Sequence, residues 1–279
     1  MFALSLLVSA ALAPFVLGQN TSQTLAIEAI EANFNNSGIV PSLLATFAPT
    51  AVMTLSFQGT DGAVAPGQAF TDNTKVAPTP NLTITGGQYS ATDLFTLAMV
   101  DAGPVGTDET KGQTRHWLVN GVTVTGDAAP FTVSIENGTA ITEYAGPAPP
   151  ANSGPHRYVI MLYSQPSSFQ APAGLNTANI GVSTYDFPAY VQDSHLGALV
   201  AATYFTVEAG TASFTPSATS AVVTSTLPAA ASSAGSSATS SSSGSRATGS
   251  PTAGQNGSTS LSISLTAVFA AIAAVIVFN

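Results

Sequence analysis

The chain has 279 residues, with 14 acidic and 5 basic side chains and a formal net charge of −9. This acidic balance argues against binding to nucleic acid and against electrostatic docking on anionic lipid. Cysteine is absent, so a secreted form of the chain would depend on its hydrophobic core and not on disulfides.

The first residues form an apolar, uncharged segment that is typical of a secretory signal peptide. Residues 1–18 contain no charged side chain, and Val16 and Gly18 supply small residues before a cleavage point, although the usual basic start is missing. We therefore predict removal of residues 1–18 and a folded domain over residues 19–214. Sequons agree with passage through the secretory route and predict glycosylation at Asn20, Asn35, Asn81 and Asn137.

The next segments predict a mainly β protein. Residues 23–35 have the apolar spacing of a short amphipathic helix, and residues 187–196 indicate a helical turn. Gly121 and Gly126 are expected to interrupt a strand that begins at His116. The pattern as a whole predicts a mostly antiparallel β-sandwich with a few short helices. The predicted strands lie at residues 51–57, 78–85, 93–100, 116–119, 139–144, 158–163 and 201–207.

Beyond the domain, the composition changes twice. Residues 215–260 are rich in Ser, Thr, Ala and Gly and carry too little apolar surface to order themselves, which predicts a disordered, O-glycosylated stalk. Residues 261–279 end in an apolar run that is short for a membrane span and predicts a GPI-attachment signal. We predict attachment at Asn256, with the pair Gly249 and Ser250 as the alternative site and a plain tail anchor as the alternative mechanism.

One loop has a composition that ordinary loops do not need. In the segment YAGPAPPANSGPHRYVIMLYSQ, residues 144–165, three prolines and a small-residue turn precede His156 and an apolar strand. Proline fixes φ and lacks a backbone donor, so the first half is expected to be an ordered, non-helical loop. A histidine held between such a loop and a strand is a candidate site residue.

Two of the three histidines, His116 and His156, begin apolar strands, and Asp101 ends another. Strand ends can converge at one edge of a sheet, so these side chains are candidates for a shared pocket. They could form a metal site, a hydrolase triad or an anion-binding pocket, or they could be unrelated. Neither a closely spaced pair of metal ligands nor a G-x-S-x-G motif is present, which disfavours the first two.

Three segments in order, LFTLAMVDAGP, RHWLVNG and the 144–165 loop, resemble the phosphatidylethanolamine-binding protein family, also called the Raf kinase inhibitor protein family. The resemblance covers roughly residues 33–207. It favours the anion-pocket interpretation over unrelated histidines. The sequence departs from the family pattern at two places. Ala102-Gly103 stands where the family has three residues, and Arg115 replaces the first of two histidines.

The resemblance implies a ligand pocket, and it assigns pocket residues by motif. We expect Asp101 to orient a histidine, Arg157 to brace the loop, and Trp117 to point into the core on the face opposite His116. Ala148 stands where the family often has a pocket-lining glycine. The predicted ligand-binding residues are Asp101, His116, Ala148, His156, Tyr158 and Tyr204.

The function implied is that of a cell-surface protein, without enzyme activity or cofactor, that binds a small anionic ligand such as phosphate or a phospholipid headgroup. The first alternative is a secreted peptidase inhibitor or interaction module, because some family members inhibit peptidases through surfaces away from the pocket. The second is an esterase-type hydrolase at the same pocket. A lipid anchor would supply the contact with the membrane.

Overall fold

The computed structural model describes residues 13–215 and 219–231, with side chains from residue 21 onward. The first twelve residues of the predicted signal peptide, the side chain of Asn20 and the predicted attachment signal with Asn256, Gly249 and Ser250 lie outside the described residues.

Within the described residues, most of the regular structure is β-strand. The helices are α1 (Ala13–Asn36), α2 (Ile39–Ser42) and α3 (Phe187–Asp193), and single 3-10 turns lie at Asn73–Val76, Glu109–Lys111 and Thr224–Thr226. The strands are β1 (Val52–Ser56), β2 (Ala63–Val64), β3 (Gln68–Phe70), β4 (Asn81–Thr85), β5 (Phe95–Asp101), β6 (Gln113–Thr125), β7 (Phe131–Ser134), β8 (Thr139–Thr142), β9 (His156–Ser164), β10 (Ser183–Tyr185) and β11 (Leu199–Val207).

The strands form two layers that share β6. The first layer has the order β2-β1-β4-β7 and joins the end of β6, while the second continues β6-β5-β9-β11-β3 with β8 and β10 also paired to β6. All pairings are antiparallel except β11 with β3, which is parallel. The predicted antiparallel β-sandwich with few short helices is therefore confirmed.

Two apolar cores lie on the two faces of the second layer. The core between the layers joins Leu55 and Ile84 of the first layer to Met99 and Ile160 of the second. The other face packs against helices, with Phe34 of α1 and further residues of α3 against β5, β9 and β11. Both faces of β5 and β9 are thus covered, which explains why their sequences read as continuous apolar runs.

Three sequence expectations differ from the structure. Helix α1 begins at Ala13, well before residue 23, since no proline after Pro14 interrupts the segment. Strand β6 continues through Gly121, whose φ of +75° lets it form a bulge opposite Phe95 and Thr96. The short strands β2, β3, β7 and β10 were not predicted, because two to four residues are too few to show a period.

Part of the predicted stalk contacts the domain. The backbone N–H of Ala229 donates to Oε2 of Glu28 at 3.0 Å, and the Asn36 side chain donates to the carbonyl of Ser220 at 3.0 Å. Ala229 is buried against α1. Residues 219–231 thus contact the domain through these hydrogen bonds, while the disorder of the stalk stays a prediction.

Among the residues that the structure describes, none of the helices combines the length and the apolar composition that crossing a membrane requires.

Candidate functional site

The edge of the second layer brings Asp101 and Tyr158 together. Asp101 ends β5 and pairs directly with Tyr158 near the start of β9. Residues paired across antiparallel strands project to the same face, which here is the face toward the core between the layers. Tyr158 is fully buried there, while Asp101 lies at the rim.

Asp101 holds the His156 ring in one orientation. Nδ1 of His156 lies 2.8 Å from Oδ2 and 3.0 Å from Oδ1 of Asp101. The two side chains are only 13% and 11% exposed, so water screens this contact less than it would on the open surface. The backbone N–H of Gly103 donates to Oδ1 of Asp101 at 2.7 Å, which fixes the carboxylate in turn.

Ser153 completes this chain of contacts, and it was not predicted from the sequence. Its Oγ lies 2.8 Å from Nε2 of His156 and donates to the carbonyl of Pro150 at 2.6 Å. Asp101 and the Pro150 carbonyl can only accept, so Nδ1 and the serine hydroxyl are the donors to them. Both ring nitrogens of His156 are therefore engaged, Nδ1 by Asp101 and Nε2 by Ser153. The available sequence signal was a serine three residues before His156 in an ordered loop.

The hydroxyl of Tyr158 is the unsatisfied group of the site. It is buried and makes no well-formed hydrogen bond. Desolvation raises its pKa above the ordinary tyrosine value, and the Asp101 carboxylate nearby adds to the rise, whereas the backbone N–H of Ala148 opposes it. The group therefore stays a neutral O–H donor, and Ala148 is placed beside it by the proline-rich loop.

His116 reaches the same side of the layer through a bulge in β6. Its ring centroid lies 5.2 Å from that of Tyr158 at an interplanar angle of 82°. The register between β5 and β6 shifts between Met99 and Val100, so the two consecutive residues His116 and Trp117 both face the core between the layers. The expectation that Trp117 lies on the opposite face from His116 is wrong, although its place in the core is confirmed.

The tautomer of His116 follows from its partner. Nδ1 lies 2.9 Å from the carbonyl of Ala145, which can only accept, so Nδ1 carries a hydrogen. We call Asp101, His116, Ala148, Ser153, His156 and Tyr158 the His156 site. Across the described residues, no three His, Asp or Glu side chains come together as metal ligands. The ring nitrogens of His156, Nδ1 of His116 and the Ser153 hydroxyl are engaged with protein atoms, so the Tyr158 hydroxyl is the side-chain donor that the site leaves without a well-formed hydrogen bond. A hydroxyl donor suits an oxygen-rich anion.

Comparisons with known proteins agree with this geometry. The family model described as phosphatidylethanolamine-binding protein matches residues 55–205, which is more than half of the chain and contains the whole His156 site. The chain belongs to the phosphatidylethanolamine-binding protein family. The resemblance drawn from the three sequence segments is thereby confirmed.

Three similar proteins show how much of each sequence is shared. An uncharacterized protein of Saccharomyces cerevisiae is 32% identical over 50% of this chain and 73% of its own. The 26 kDa secreted antigen of Toxocara canis is 33% identical over 50% of this chain and 48% of its own. The carboxypeptidase Y inhibitor of S. cerevisiae is 44% identical over 26% of this chain and 39% of its own. The chain thus spans half or less of the last two relatives.

The carboxypeptidase Y inhibitor also has a known structure, solved in complex with its cognate proteinase. It superposes on 67% of this chain and 96% of its own with a TM-score of 0.53 at 24% sequence identity. This likeness shows that the two share a fold.

Tyr204, assigned to the pocket from the family resemblance, lies elsewhere. It pairs with Val159 across β9 and β11, and neighbours along a strand point to opposite faces, so it faces away from Tyr158. Its ring packs edge-on against Phe34 of α1, and its hydroxyl lies 3.5 Å from the carbonyl of Asn33. The structure does not bring Tyr204 to the His156 site, so we exclude it from the site.

The turn after Asp101, where this chain departs from the family pattern, is held by Arg157. The guanidinium donates to the carbonyls of Ala102 at 2.7 Å and Gly103 at 2.9 Å. Its Nη2 also lies 3.1 Å from Oε1 of Glu109, and the two side chains are 2% and 8% exposed. Arg157 therefore braces the turn after Asp101, because its guanidinium is engaged by the carbonyls of this turn and by Glu109.

The predicted glycosylation sites within the described side chains are Asn35, Asn81 and Asn137. All three are exposed, as attachment of a glycan requires. Their modification stays a prediction.

Proposed function

We propose that this family member binds a small anionic group, a phosphate or a phospholipid headgroup, at the His156 site. The observation that carries the proposal is the buried hydroxyl of Tyr158, which makes no well-formed hydrogen bond although the Asp101 carboxylate and the backbone N–H of Ala148 lie near it, beside a histidine ring oriented by Asp101. A buried donor without a partner costs roughly 1–3 kcal/mol, and an anionic oxygen from a ligand would remove that cost.

The electrostatics of the site favour a single compact anion. The carboxylate of Asp101 would repel an anion, but the His156 ring lies between the two and offsets its charge. The site lacks a lysine or a free arginine, because the guanidinium of Arg157 is committed to loop carbonyls and Glu109. Binding is therefore expected to be weak and to depend on the neutral donors.

Calorimetric titration with phosphorylethanolamine and with inorganic phosphate tests the proposal. We expect saturable binding to the wild type and a loss of about tenfold or more in His156→Ala, since without the ring the Asp101 carboxylate would face the anion directly. His195→Asn is the matched control, because His195 is exposed and has a φ of +56° that asparagine tolerates. The proposal fails if the wild type binds neither compound, or if His156→Ala binds as the wild type does.

Peptidase inhibition is the second candidate function, and the similarity to the carboxypeptidase Y inhibitor favours it. An assay of carboxypeptidase Y activity with the purified chain at micromolar concentration tests it. If the inhibitory surface lies away from the site, His156→Ala should inhibit as the wild type does. Full peptidase activity in the presence of the wild-type chain rules out this peptidase as the partner.

Hydrolase activity is disfavoured by the direction of one hydrogen bond. A nucleophilic serine must donate its hydrogen to the histidine, whereas the carbonyl of Pro150, 2.6 Å from Oγ, competes with Nε2 of His156 for the Ser153 hydrogen. We expect no turnover of p-nitrophenyl esters above the rate in buffer. Turnover that disappears in both Ser153→Ala and His156→Ala would revive the esterase alternative.

Display at the cell surface through a GPI anchor is the location we propose. The apolar residues 1–18 and 261–279, the exposed sequons and the similarity to a secreted antigen support it. Phosphatidylinositol-specific phospholipase should release the protein from cells, and Asn256→Gln should abolish anchoring. Anchoring that survives this change would indicate Gly249 and Ser250, and resistance to the enzyme would indicate a tail anchor.

A further inference from the structure

Arg115 is a buried cation without an acidic partner. The residue is 2% exposed, and among the described residues no Asp or Glu oxygen lies within ion-pair distance of its guanidinium. Burial lowers the pKa of Arg115, and the nearby hydroxyl groups of Tyr185 and Tyr190 oppose this shift. Arg157 differs, because Glu109 neutralises it. The guanidinium carbon of Arg115 lies 5.2 Å from the centroid of the Tyr185 ring, a cation–π contact that offsets part of its charge. Buried charges are normally paired with an opposite charge, so the lack of a carboxylate beside Arg115 in the described part of the chain points to an anionic partner from outside the chain.

The guanidinium is only partly used by the protein. Nε donates to Oγ1 of Thr142 at 2.6 Å, and Nη2 donates to the carbonyl of Gly181 at 3.0 Å and to Oγ of Ser183 at 3.1 Å. Nη1 makes no hydrogen bond with the described residues. Among these residues, the buried side-chain atoms that lack a hydrogen-bond partner are three tyrosine hydroxyls, and Nη1 does not belong to this group. Its two hydrogens therefore remain available from outside.

A groove of about 540 Å³ leads to this guanidinium. Its walls come from the loop around Leu175 and from the segment that contains Ile180, Val182 and Ser183. The lining combines the aliphatic side chains of Leu175, Ile180 and Val182 with the cation and the polar residues Ser183, Thr184 and Tyr185. Val182 is 48% exposed at the groove, so the groove is open to solvent. We call this feature the Arg115 groove.

The Arg115 groove and the His156 site lie on opposite faces of the same layer. Arg115 pairs with Val100, whose side chain belongs to the core under the helices, whereas His116 contacts Tyr158 on the other side. The register shift in β6 separates these adjacent residues. A ligand in one location therefore does not contact the other.

We propose that the Arg115 groove binds a monocarboxylate with a short aliphatic body. A carboxylate would accept from Nη1 and supply the missing negative charge, while the aliphatic body would pack on Leu175, Ile180 and Val182. A single cation matches a single negative charge, and the groove contains no second basic residue for a phosphate dianion.

Titration of the full chain, labelled with ¹⁵N, with hexanoate, hexanol and inorganic phosphate tests this proposal. Hexanoate should move the backbone amide signals of Gly181 and Ser183 in a saturable way. Hexanol, which keeps the aliphatic body without the charge, should bind about tenfold more weakly or worse. Equal affinity for hexanol and hexanoate, or the absence of saturable binding, would overturn the proposal, and so would tighter binding of phosphate at these signals.

Three variants and a control establish whether hexanoate binds in the Arg115 groove itself. Arg115→Gln should reduce hexanoate affinity by about tenfold or more, whereas Lys111→Gln, which removes the same charge from an exposed side chain, should not change it. If Arg115→Gln does not fold, Val182→Trp keeps the cation and obstructs the groove, and it should cause the same loss. Wild-type affinity in the folded variant would overturn the proposal. His156→Ala should leave hexanoate binding unchanged, which keeps this test independent of the His156 site.

Discussion

Nδ1 of His156 lies 2.8 Å from Oδ2 of Asp101, although the two residues are 55 positions apart in the chain. The contact joins the end of β5 to the start of β9, and the direct pairing of Asp101 with Tyr158 sets its geometry. The carboxylate thus serves two roles, because it orients the histidine ring and raises the pKa of the tyrosine hydroxyl.

Replacing Asp101 with asparagine should weaken anion binding more than it changes stability. The amide oxygen can still accept from Nδ1, but it replaces a charge-assisted hydrogen bond with a weaker neutral one that orients the ring less firmly. Loss of such an orienting partner typically costs about 10- to 100-fold in ligand affinity at analogous metal sites, and we expect the lower end of that range for phosphorylethanolamine. Calorimetry measures the affinity, and Asp127→Asn, at an exposed position, is the control. Unchanged affinity in Asp101→Asn would contradict the orienting role.

Tyr158→Phe should separate stability from binding. Because the hydroxyl has no partner, its removal should leave the free energy of unfolding unchanged or raise it by about 1 kcal/mol, while the affinity for phosphate falls. Tyr144→Phe is the matched control, since the Tyr144 hydroxyl donates to the carbonyl of Val76 at 2.6 Å. That variant should lose about 1 kcal/mol or more. Urea unfolding measures both, and equal destabilisation of the two variants would show that the Tyr158 hydroxyl has a partner.

Arg157→Gln should destabilise the fold by about 3–5 kcal/mol at pH 7, because Glu109 would be left buried without its cation. Burial already raises the pKa of Glu109. A carboxyl group whose pKa is higher in the folded protein than in the unfolded chain lowers the stability of the fold as the pH rises through the pKa of the unfolded chain. Well below that pKa the group is protonated in both states, and this loss of stability is absent.

The loss in Arg157→Gln should therefore be smaller at pH 4 than at pH 7. Urea unfolding of the wild type and the variant at both pH values measures the difference. Lys111→Gln, at an exposed position, should show little loss at either pH. An equal loss in Arg157→Gln at both pH values would mean that the carbonyls of Ala102 and Gly103, and not Glu109, account for the effect.

Tyr204→Phe should leave the affinity for phosphorylethanolamine within about twofold of the wild type, a change well below that of losing one hydrogen bond. The reason is its place on the other face of the layer, beside Phe34. The measurement is the same calorimetric titration, with Tyr158→Phe as the positive control. A tenfold loss in Tyr204→Phe would restore Tyr204 to the site.

The local sequence determined the fold and part of the His156 site. Apolar runs such as residues 93–100 and 158–163 are long enough to show that they are buried strands, and both were found where predicted. The sequence predicted a shared pocket for Asp101, His156 and Tyr158, because strand ends mark an edge of a sheet and the proline-rich loop has a distinctive composition. These signals depend on neighbours along the chain, so a sequence shows them directly.

Only the tertiary structure decided which face each side chain reaches. The register shift in β6 depends on pairing with β5, and it turns His116 and Trp117 to one side and Arg115 to the other. The pairing between β9 and β11 likewise decides the position of Tyr204. Tyr204 pairs with Val159 and therefore lies on the face opposite Tyr158. A period of two assigns faces only until a bulge intervenes, and a bulge depends on a partner strand that is distant in the sequence. For the same reason, the contact of Ser153 with His156 and the missing acidic partner of Arg115 became visible only in three dimensions.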